Sequence, residues 1–438
     1  MSAANVSSGY KWLIDPYAFL DDALAHQGLT FRVNLPVLGR SLVTGDPDLI
    51  REVVQSPDLD AGQGIIALRT ILGDRSLITL DGSAHRDRRR FIAPQFGSDR
   101  IKSYDAITIE KTLRAIQQLP KDNVFSIYDL VRKISLQIII RVIFGPKDRE
   151  DERQVEILVE DFLASFGNPL VLFLKPLQKD FGRFSPWGRA VRNRQRLRAY
   201  ILEQTHACRE ADARGISLLS EIVQQSERPA EDELTTELLT LLMFGHDTGA
   251  ATMAWAFAHL YQHPEAIERV KLEAETIKTQ TGRLAPERHH YLEACLKESM
   301  RLCPAVVHLT RVANRDTQIG DYPVKEGQRV LPCTYLAQHN PEVFPDPYRF
   351  KPERFSNGQD YKHSYFPFGF GSRTCIGESF AMRQMILIVS TIVSAALLDL
   401  VPGYQIRPER RMVLIIPRKG TRMVVRHSWD SDECRKGS

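Results

Sequence analysis

One ten-residue stretch constrains this chain more than any other part of its sequence. From Phe368 to Gly377 the residues run Phe-Gly-Phe-Gly-Ser-Arg-Thr-Cys-Ile-Gly, and the following segment, Glu378–Arg383, is typical of a helix. Glycines allow backbone conformations closed to other residues, so such a loop can approach a flat group closely. Amides at a helix start favour a thiolate. The stretch predicts that Cys375 is presented as a single sulfur ligand; a bare Cys-x-Gly would instead favour a buried structural cysteine.

The composition favours one large fold. The chain has 438 residues, of which 43% are hydrophobic, and it contains no low-complexity linker or internal repeat on which to divide it. That is ample apolar material for a core that encloses a cofactor. The formal net charge of +4 is too small to indicate nucleic-acid binding by itself. We therefore expect one mainly helical unit that binds no nucleic acid.

The cysteines and the apolar runs bear on location. None of the six cysteines falls in a Cys-x-x-Cys pair, a zinc-type spacing or a disulfide framework, which predicts a reducing compartment. Residues 1–22 supply neither a signal peptide nor a spanning helix. Gln384–Leu398 is shorter than the roughly 20 apolar residues that a span requires, and we expect a buried core helix there. These features predict a cytoplasmic protein without a membrane span. The cysteines are Cys208, Cys295, Cys303, Cys333, Cys375 and Cys434.

The N-terminal part combines short strands with a helix start. Thr30–Leu35 and Leu38–Thr44 alternate as two strands around Pro36. Asp46 followed by a proline predicts the N-cap and first turn of a helix. Asp58–Leu80 shows glycines and isolated apolar residues without a period, so we expect mostly loop.

A basic segment follows, and it predicts a helix from Asp81 to about Pro94. His85 and Arg89 are four residues apart and share one face of this helix. From the residues alone, a solvated basic face and an anion-binding pair remain equally open.

The longest helical pattern runs from Leu234 to Tyr261 and contains Gly245 and Gly249 in its interior. Each interior glycine costs about 1 kcal/mol relative to alanine. The hydroxyl of Thr248 can bond back to the preceding turn and bend the helix, and the adjacent Asp247 would complete a short proton relay. A local opening of the helix would serve such a relay, but the residues alone favour an ordinary helix with a mid-span threonine and a surface aspartate.

The Cys375 stretch resembles the haem-ligand loop of the cytochrome P450 superfamily. That loop has the pattern Phe-x-x-Gly-x-x-x-Cys-x-Gly with a basic residue two before the cysteine, and Phe368, Gly371, Arg373, Cys375 and Gly377 fill it. The resemblance implies a mainly α fold with a small β lobe, and haem b held between a long central helix and the loop. A thiolate ligand on haem iron favours O–O cleavage, so the implied chemistry is oxygen activation.

Further motifs extend the resemblance and imply roles for individual residues. Asp247 and Thr248 match the family's Ala/Gly-Gly-x-Asp/Glu-Thr motif, although Phe244 stands where a small residue is usual. The match implies that these two residues are catalytic and relay protons. The implied cofactor-binding residues are His85, Arg89, Arg311, Phe368, Gly369, Arg373, Cys375 and Gly377, with Cys375 the metal ligand and the four basic residues on the haem propionates. The implied structural residues are Glu298, Arg301 and Arg354. The implied substrate pocket contains Phe244, Ala305, Val306, Val307 and Leu414.

The resemblance also implies the domain organisation. We expect a single cytochrome P450 domain over 1–438, with a β-rich lobe from about 28–60, 305–335 and 400–427 and a helical haem domain for the rest. Val155–Phe166 is predicted to be a helix, and the next helix is marked by the arginines from Arg189 to Arg198. The segment between these two helices resembles the mobile lid over the family's substrate pocket.

The implied function is that of a haem-thiolate monooxygenase. It would insert one atom of O2 into a lipophilic small molecule that is terpenoid-, fatty-acid- or polyketide-like, as a monomer. Electrons would come from NAD(P)H through a separate ferredoxin or flavodoxin donor, which Arg86, Arg88 and Arg90 would meet by charge complementarity. A peroxide-driven peroxygenase is one alternative, although the Asp247-Thr248 pair weighs against it. A non-catalytic haem-binding sensor is the other.

Overall fold

The computed structural model describes residues 11–36, 38–119, 123–145, 148–165, 178–182, 185–210, 217–225, 230–356 and 358–428. Within these ranges the chain is mainly helical, with small sheets. Most of the predicted lid lies outside the described residues. A search of the described helices finds none with the length and apolar character needed to cross a membrane.

The helices account for most of the described residues. They are α1 (Pro16–Gln27), α2 (Pro47–Gln55), α3 (Ile66–Leu72), α4 (Gly82–Ile92), α5 (Ser98–Ser103), α6 (Asp105–Gln117), α7 (Ile127–Phe144), α8 (Arg149–Ala164), α9 (Pro186–Glu210), α10 (Leu218–Gln224), α11 (Glu231–Phe244), α12 (Asp247–Gln262), α13 (Pro264–Thr281), α14 (His290–Leu302), α15 (Thr334–Gln338) and α16 (Glu378–Ala395).

The strands of the described residues form four small sheets. They are β1 (Thr30–Leu35), β2 (Gly39–Thr44), β3 (Leu59–Asp60), β4 (Val124–Ser126), β5 (Arg311–Ala313), β6 (Thr317–Ile319), β7 (Tyr322–Val324), β8 (Arg329–Pro332), β9 (Ala396–Leu400), β10 (Pro408–Arg411), β11 (Leu414–Pro417) and β12 (Arg422–Ser428). The largest sheet has the order β1-β2-β8-β5-β3, in which β2 and β8 are parallel. The others are β4-β12-β9, β10-β11 and β6-β7.

Local signals predicted the N-terminal elements correctly. β1 and β2 pair antiparallel, with Thr30 opposite Thr44. The Asp46 carboxylate accepts the backbone N–H groups of Asp48 and Leu49, as expected of an N-cap, and Pro47 occupies the first helical position. The helix over residues 82–92 is also confirmed.

Other predictions of local structure were wrong in part. Asp58–Leu80 is not mostly loop, because it contains β3 and α3. By contrast, the local opening considered for the long helical pattern is found, because the pattern is divided at Gly245 into α11 and α12. The run Gln384–Leu398 leaves its helix after Ala395, because residues from Ala396 onward pair with β12. Tertiary pairing overrides the local apolar pattern at that point.

The described residues group into two compact units. The first comprises the described parts of residues 1–60, 96–134 and 248–438, and it contains the four sheets together with α16. Its main apolar core is formed by aromatic residues near the N-terminus, strands of the large sheet and α15. Tyr17, Phe31 and Tyr335 are buried members of this core. The second unit comprises the described parts of residues 61–95 and 135–247, which include α3, α4 and α11. The division of the chain into a β-rich lobe and a helical haem domain stays a prediction.

Candidate active site

Cys375 is exposed and lies three residues before α16. Its backbone N–H donates to the Phe368 carbonyl at 2.8 Å, which closes the loop. Gly369 and Gly371 both have positive φ, 68° and 69°, so the loop follows a course that other residues adopt only with strain. Gly377 caps α16, and the carbonyl of Gly377 accepts the N–H of Ala381. The sulfur is therefore presented beside the positive end of a helix dipole.

The loop is held in place by close packing. A Cβ at Gly371 would lie 2.6 Å from Val54 Cγ1 of α2, so a larger residue would displace the loop from this helix. Phe366 and Phe370 pack edge to face, with ring centroids 5.3 Å apart, in a small core with Ile50. These close contacts hold the loop, and with it Cys375, in a fixed position against α2.

Two other cysteines of this unit are unsuited to be thiolates. Cys295 and Cys333 are buried, and desolvation raises the pKa of both thiols, that of Cys333 to about 12. The Cys333 thiol also donates to the Val307 carbonyl at 3.3 Å. Cys375 differs from both because it is exposed, as reactive cysteines are at least in part.

The interruption between α11 and α12 has an identifiable cause. A Cβ at Gly245 would lie 2.6 Å from the Leu241 carbonyl oxygen and 3.0 Å from Ile139 Cγ1, so only glycine fits. The next residue, His246, is buried, and its Nδ1 lies 2.9 Å from the Leu242 carbonyl oxygen. The ring N–H therefore caps the end of α11 with a side-chain hydrogen bond.

The acid–hydroxyl pair begins the next helix. Asp247 and Thr248 are the first two residues of α12 and both are half-buried. The helix dipole favours a carboxylate at this position. The Thr248 carbonyl accepts the hydroxyl of Thr252 at 3.2 Å, one turn along. The relay role of the pair stays a prediction.

Arg311 begins β5 close to the cysteine loop. Its side chain is buried, and Nη1 donates to the Thr310 carbonyl at 3.0 Å. Leu309, two residues earlier, lies against Gly369, because a Cβ there would be 3.8 Å from Leu309 Cδ2. A buried guanidinium in this place is suited to bind a carboxylate. Arg373, in the loop itself, is half-buried.

His85 and Arg89 lie on α4 in the second unit. His85 is buried and Arg89 is half-buried, so the helix does not present a fully solvated face. The helix begins after Asp81, whose carboxylate accepts the backbone N–H groups of Ala61, Gly62 and Gln63 at 3.0, 2.9 and 3.2 Å. Residues 61–63 are thereby hydrogen-bonded to the residue that precedes α4.

Glu298, Arg301 and Arg354 meet in the first unit. Arg301 forms a bidentate ion pair with Glu298, with Nε–Oε2 and Nη2–Oε1 distances of 2.7 and 2.9 Å. Its remaining nitrogen, Nη1, donates to the carbonyls of Gln338 and Pro347 at 2.8 Å each. Arg354 Nε donates to Glu298 Oε1 at 3.3 Å. The three residues join α14 to the chain between α15 and the cysteine loop.

The segments that carry the predicted pocket residues Ala305 and Leu414 are adjacent. The N–H of Ile415 donates to the Ala305 carbonyl at 2.9 Å, and Trp255 Nε1 of α12 donates to the Ile415 carbonyl at 2.9 Å. Ala305, Val307 and Leu414 are buried, whereas Val306 is exposed and Phe244 is half-buried at the end of α11. Their contribution to a substrate pocket stays a prediction.

One expectation about the basic helix is wrong. Arg88 does not point toward solvent, because its side chain lies between Glu233 and Glu237 of α11. Arg86 and Arg90 are exposed. This cluster was not predicted from the sequence, although an acidic residue within the otherwise apolar and hydroxylic stretch around Glu237 was a signal for a buried partner.

Comparison with known proteins decides the family. The family model for cytochrome P450 matches residues 36–424. The chain belongs to the cytochrome P450 family. Such P450 enzymes are haem-thiolate monooxygenases, so the chain is an oxidoreductase with haem as its cofactor.

The similar P450 proteins cover nearly the whole chain. Putative cytochrome P450 138 of Mycobacterium tuberculosis (strain ATCC 25618 / H37Rv) is 29% identical over 426 residues, which are 95% of this chain and 93% of the relative. Putative cytochrome P450 135B1 of Mycobacterium bovis is 28% identical over 428 residues, 94% of this chain and 88% of the relative. A structure of retinoic acid bound cyanobacterial CYP120A1 has a TM-score of 0.83 at 22% identity and covers 96% of both chains. The cytochrome P450DA heme domain has a TM-score of 0.82 at 18% identity, covering 95% of this chain and 93% of that one. The P450 fold is therefore shown.

The residues present fit haem. The loop offers an exposed cysteine at a helix start, and its positive-φ glycines allow a flat group to come close. Arg311 adds a buried cation on β5 beside the loop. Such a donor set would suit a thiolate-ligated iron with charged propionates.

Proposed function

We propose that this P450 inserts one atom of O2 into a lipophilic small molecule, with electrons delivered from NAD(P)H by a separate donor protein. The observation that carries the proposal is the acid–hydroxyl pair, Asp247 and Thr248, at the first turn of α12 directly after the break at Gly245. A carboxyl group beside a hydroxyl can hold and pass a proton. A haem protein without catalytic turnover has no use for such a pair at an opened helix.

The chain's own residues would act as follows. Cys375 would hold the iron through its thiolate, and His85, Arg89, Arg311 and Arg373 would bind the propionates by charge-assisted hydrogen bonds. Haem, when bound, supplies the oxygen chemistry, and a thiolate ligand favours O–O cleavage. The Asp247 carboxyl would exchange protons with solvent, and the Thr248 hydroxyl would donate its proton toward the reacting oxygen.

The substrate proposal rests on the character of the two adjacent segments. Ala305, Val307 and Leu414 are apolar, and Val306 exposes its side chain beside them. An apolar lining with few polar groups favours lipophilic ligands. We therefore propose a terpenoid-, fatty-acid- or polyketide-like substrate.

The donor proposal is a ferredoxin or flavodoxin with its reductase. Arg86 and Arg90 are exposed on α4 and give that helix a positive surface, which suits an acidic partner. We also propose a cytoplasmic location, on the cysteine spacing argued from the sequence.

The experiment combines a ligand screen with a comparison of oxidants. Lipophilic candidates are titrated into the purified haem protein, and a Soret shift on displacement of iron-bound water identifies those that bind. Each binder is then incubated with ferredoxin, reductase and NADPH, or with hydrogen peroxide alone. Product with the donor system and little with peroxide supports the proposal. Product with peroxide only would identify a peroxygenase, and spectral binding without product under either condition would favour a sensor.

A further inference from the structure

The second unit contains a buried ion cluster that the proposed chemistry does not use. Arg88 of α4 donates from Nη1 to Glu237 Oε1 at 2.8 Å and pairs through Nη2 with Glu233 Oε2 at 2.9 Å. The Arg88 and Glu237 side chains are only 10% and 5% exposed. Removing one partner of a desolvated pair of this kind costs far more than removing one partner of a surface ion pair, because a buried charge is left behind.

Glu237 also holds the chain that leads into α4. The same Oε1 atom accepts the backbone N–H of Leu77 at 2.8 Å. One turn along α11, the Thr240 hydroxyl lies 2.9 Å from Ser76 Oγ. Arg88 Nη1 closes the arrangement by donating to the Arg75 carbonyl at 3.3 Å. Side chains of α11 thus form hydrogen bonds both with α4 and with residues 76 and 77 ahead of it.

Arg88 is one residue from Arg89 and three from His85 on the same helix. Because α4 is a single rigid helix of 11 residues, a restraint on Arg88 restrains the rotation and the axial position of its neighbours. Arg90 provides the contrast, since it is 79% exposed and pairs only with the exposed Asp87 in its described ion pairs.

We propose that Glu233 and Glu237, through Arg88, are positioning residues for haem: they fix α4 so that His85 and Arg89 present their side chains to the propionates. The inference rests on the proposed propionate role of His85 and Arg89. Arg88 itself touches neither the propionates nor the iron in this scheme. Its effect is to keep the helix that carries the two binding residues in one place.

The charge state of Glu237 is part of this arrangement. Burial is the largest influence on Glu237 and raises the pKa of its carboxyl to about 7, while Arg88 and the Leu77 N–H act in the opposite direction and Glu233 adds to the rise. The other acid at the start of α11, Asp232, faces Arg198 of α9 instead. Protonation of Glu237 near neutral pH therefore removes the charge that faces Arg88.

The test measures haem loss from the full-length haem protein to excess apomyoglobin, followed at the Soret band. Arg88→Met is expected to lose haem on the order of tenfold faster than wild type, the lower end of the losses seen when outer-sphere partners of a metal site are removed. Arg90→Met, the matched control on the same helix, is expected to keep the wild-type rate.

Glu237→Gln is compared with wild type from pH 5.5 to 8.5. The variant should lose haem faster at pH 8.5, and the two rates should converge at lower pH as Glu237 of the wild type protonates.

Hydrogen exchange separates a positioning role from general destabilisation. In Arg88→Met, amides of residues 75–92 should exchange faster, whereas those of α16 and the cysteine loop should not change. Equal haem loss in Arg88→Met and Arg90→Met would overturn the inference. So would parallel pH profiles for Glu237→Gln and wild type, which decide the matter if Arg88→Met does not fold. Wild-type protein that binds no haem would instead refute the proposed function.

Discussion

Arg301 and Glu298 form a bidentate ion pair in which both side chains are fully buried, at 0% exposure, with Nε–Oε2 and Nη2–Oε1 distances of 2.7 and 2.9 Å. Every nitrogen of the guanidinium donates, because Nη1 reaches the carbonyls of Gln338 and Pro347. The Glu298 carboxylate also accepts the backbone N–H of Lys351 at 2.9 Å. The pair thus replaces the water that both charges lose on folding.

Breaking this pair should be costly. Arg301→Met leaves the Glu298 carboxylate buried without its main partner, and such a change costs about 3–5 kcal/mol. Urea unfolding of the haem protein measures it. The control lies on the same helix, where Lys297 and Glu293 pair at 2.6 Å with side chains that are 35% and 37% exposed. Lys297→Ala should cost less than about 1 kcal/mol. Equal losses would show that burial does not govern the pair.

Cys375→Ser should abolish thiolate ligation of haem. The wild-type protein, reduced under carbon monoxide, should show the red-shifted Soret band peculiar to sulfur-ligated haem. The variant should lack it, because a serine hydroxyl is a poor ligand for iron. Cys333→Ala is the control, since this buried thiol donates to the Val307 carbonyl. A spectrum typical of imidazole ligation in the wild type would contradict the assignment of Cys375.

Thr248→Ala should separate electron use from product formation. Without the hydroxyl, proton delivery fails, and we expect product per NADPH to fall about tenfold, a modest share of what positioned proton donors contribute. NADPH consumption and peroxide release are measured alongside product. Thr252→Ala removes a hydroxyl one turn along, which donates to the Thr248 carbonyl at 3.2 Å, and should leave coupling near the wild-type value. Loss of coupling in both variants would point to helix distortion rather than to the Thr248 hydroxyl.

Gly245 and Gly249 should respond in opposite ways to alanine. A Cβ at Gly245 would lie 2.6 Å from the Leu241 carbonyl oxygen and 3.0 Å from Ile139 Cγ1, and overpacking of this kind costs about 1–3 kcal/mol. At Gly249, on α12, no described atom outside its own helix lies within 4 Å of an added Cβ. Gly249→Ala should therefore stabilise by about 1 kcal/mol through helix propensity. The free energy of unfolding is measured for both variants, and a stabilising Gly245→Ala would mean that the break in the helix does not require glycine.

Glu237 should make stability fall as pH rises. Its pKa is raised from the ordinary 4.5 to about 7, so the folded protein binds this proton more tightly than the unfolded chain does. The resulting stability is fully present below pH 4.5 and is lost as pH rises through 7, a span worth about 3 kcal/mol at 1.36 kcal/mol per pKa unit. Glu237→Gln has no such proton to lose. Unfolding free energies of the two proteins, compared from pH 5.5 to 8.5, should therefore separate as pH rises, because only the wild type loses stability, and a constant difference would contradict the raised pKa.

The sequence by itself determined the parts of this protein that depend on neighbouring residues. Asp46 and Pro47 predict the start of α2 because an N-cap acts within one helical turn. The glycines around Cys375 predict a loop with positive φ, because that conformation is a property of the residue itself. The resemblance of the same stretch to the P450 haem-ligand loop predicted the family, which the match over residues 36–424 confirms.

Only the tertiary structure decided which distant residues meet. Arg88 and Glu237 are 149 residues apart, and nothing in the pattern of α4 distinguishes Arg88 from the exposed Arg90. The helical run after the cysteine loop ends at Ala395 because the following residues pair with β12, a partner that local propensity cannot anticipate. Burial removes water from a charge and leaves only another part of the chain to replace it, and so the environment of each ionised side chain was settled by the fold.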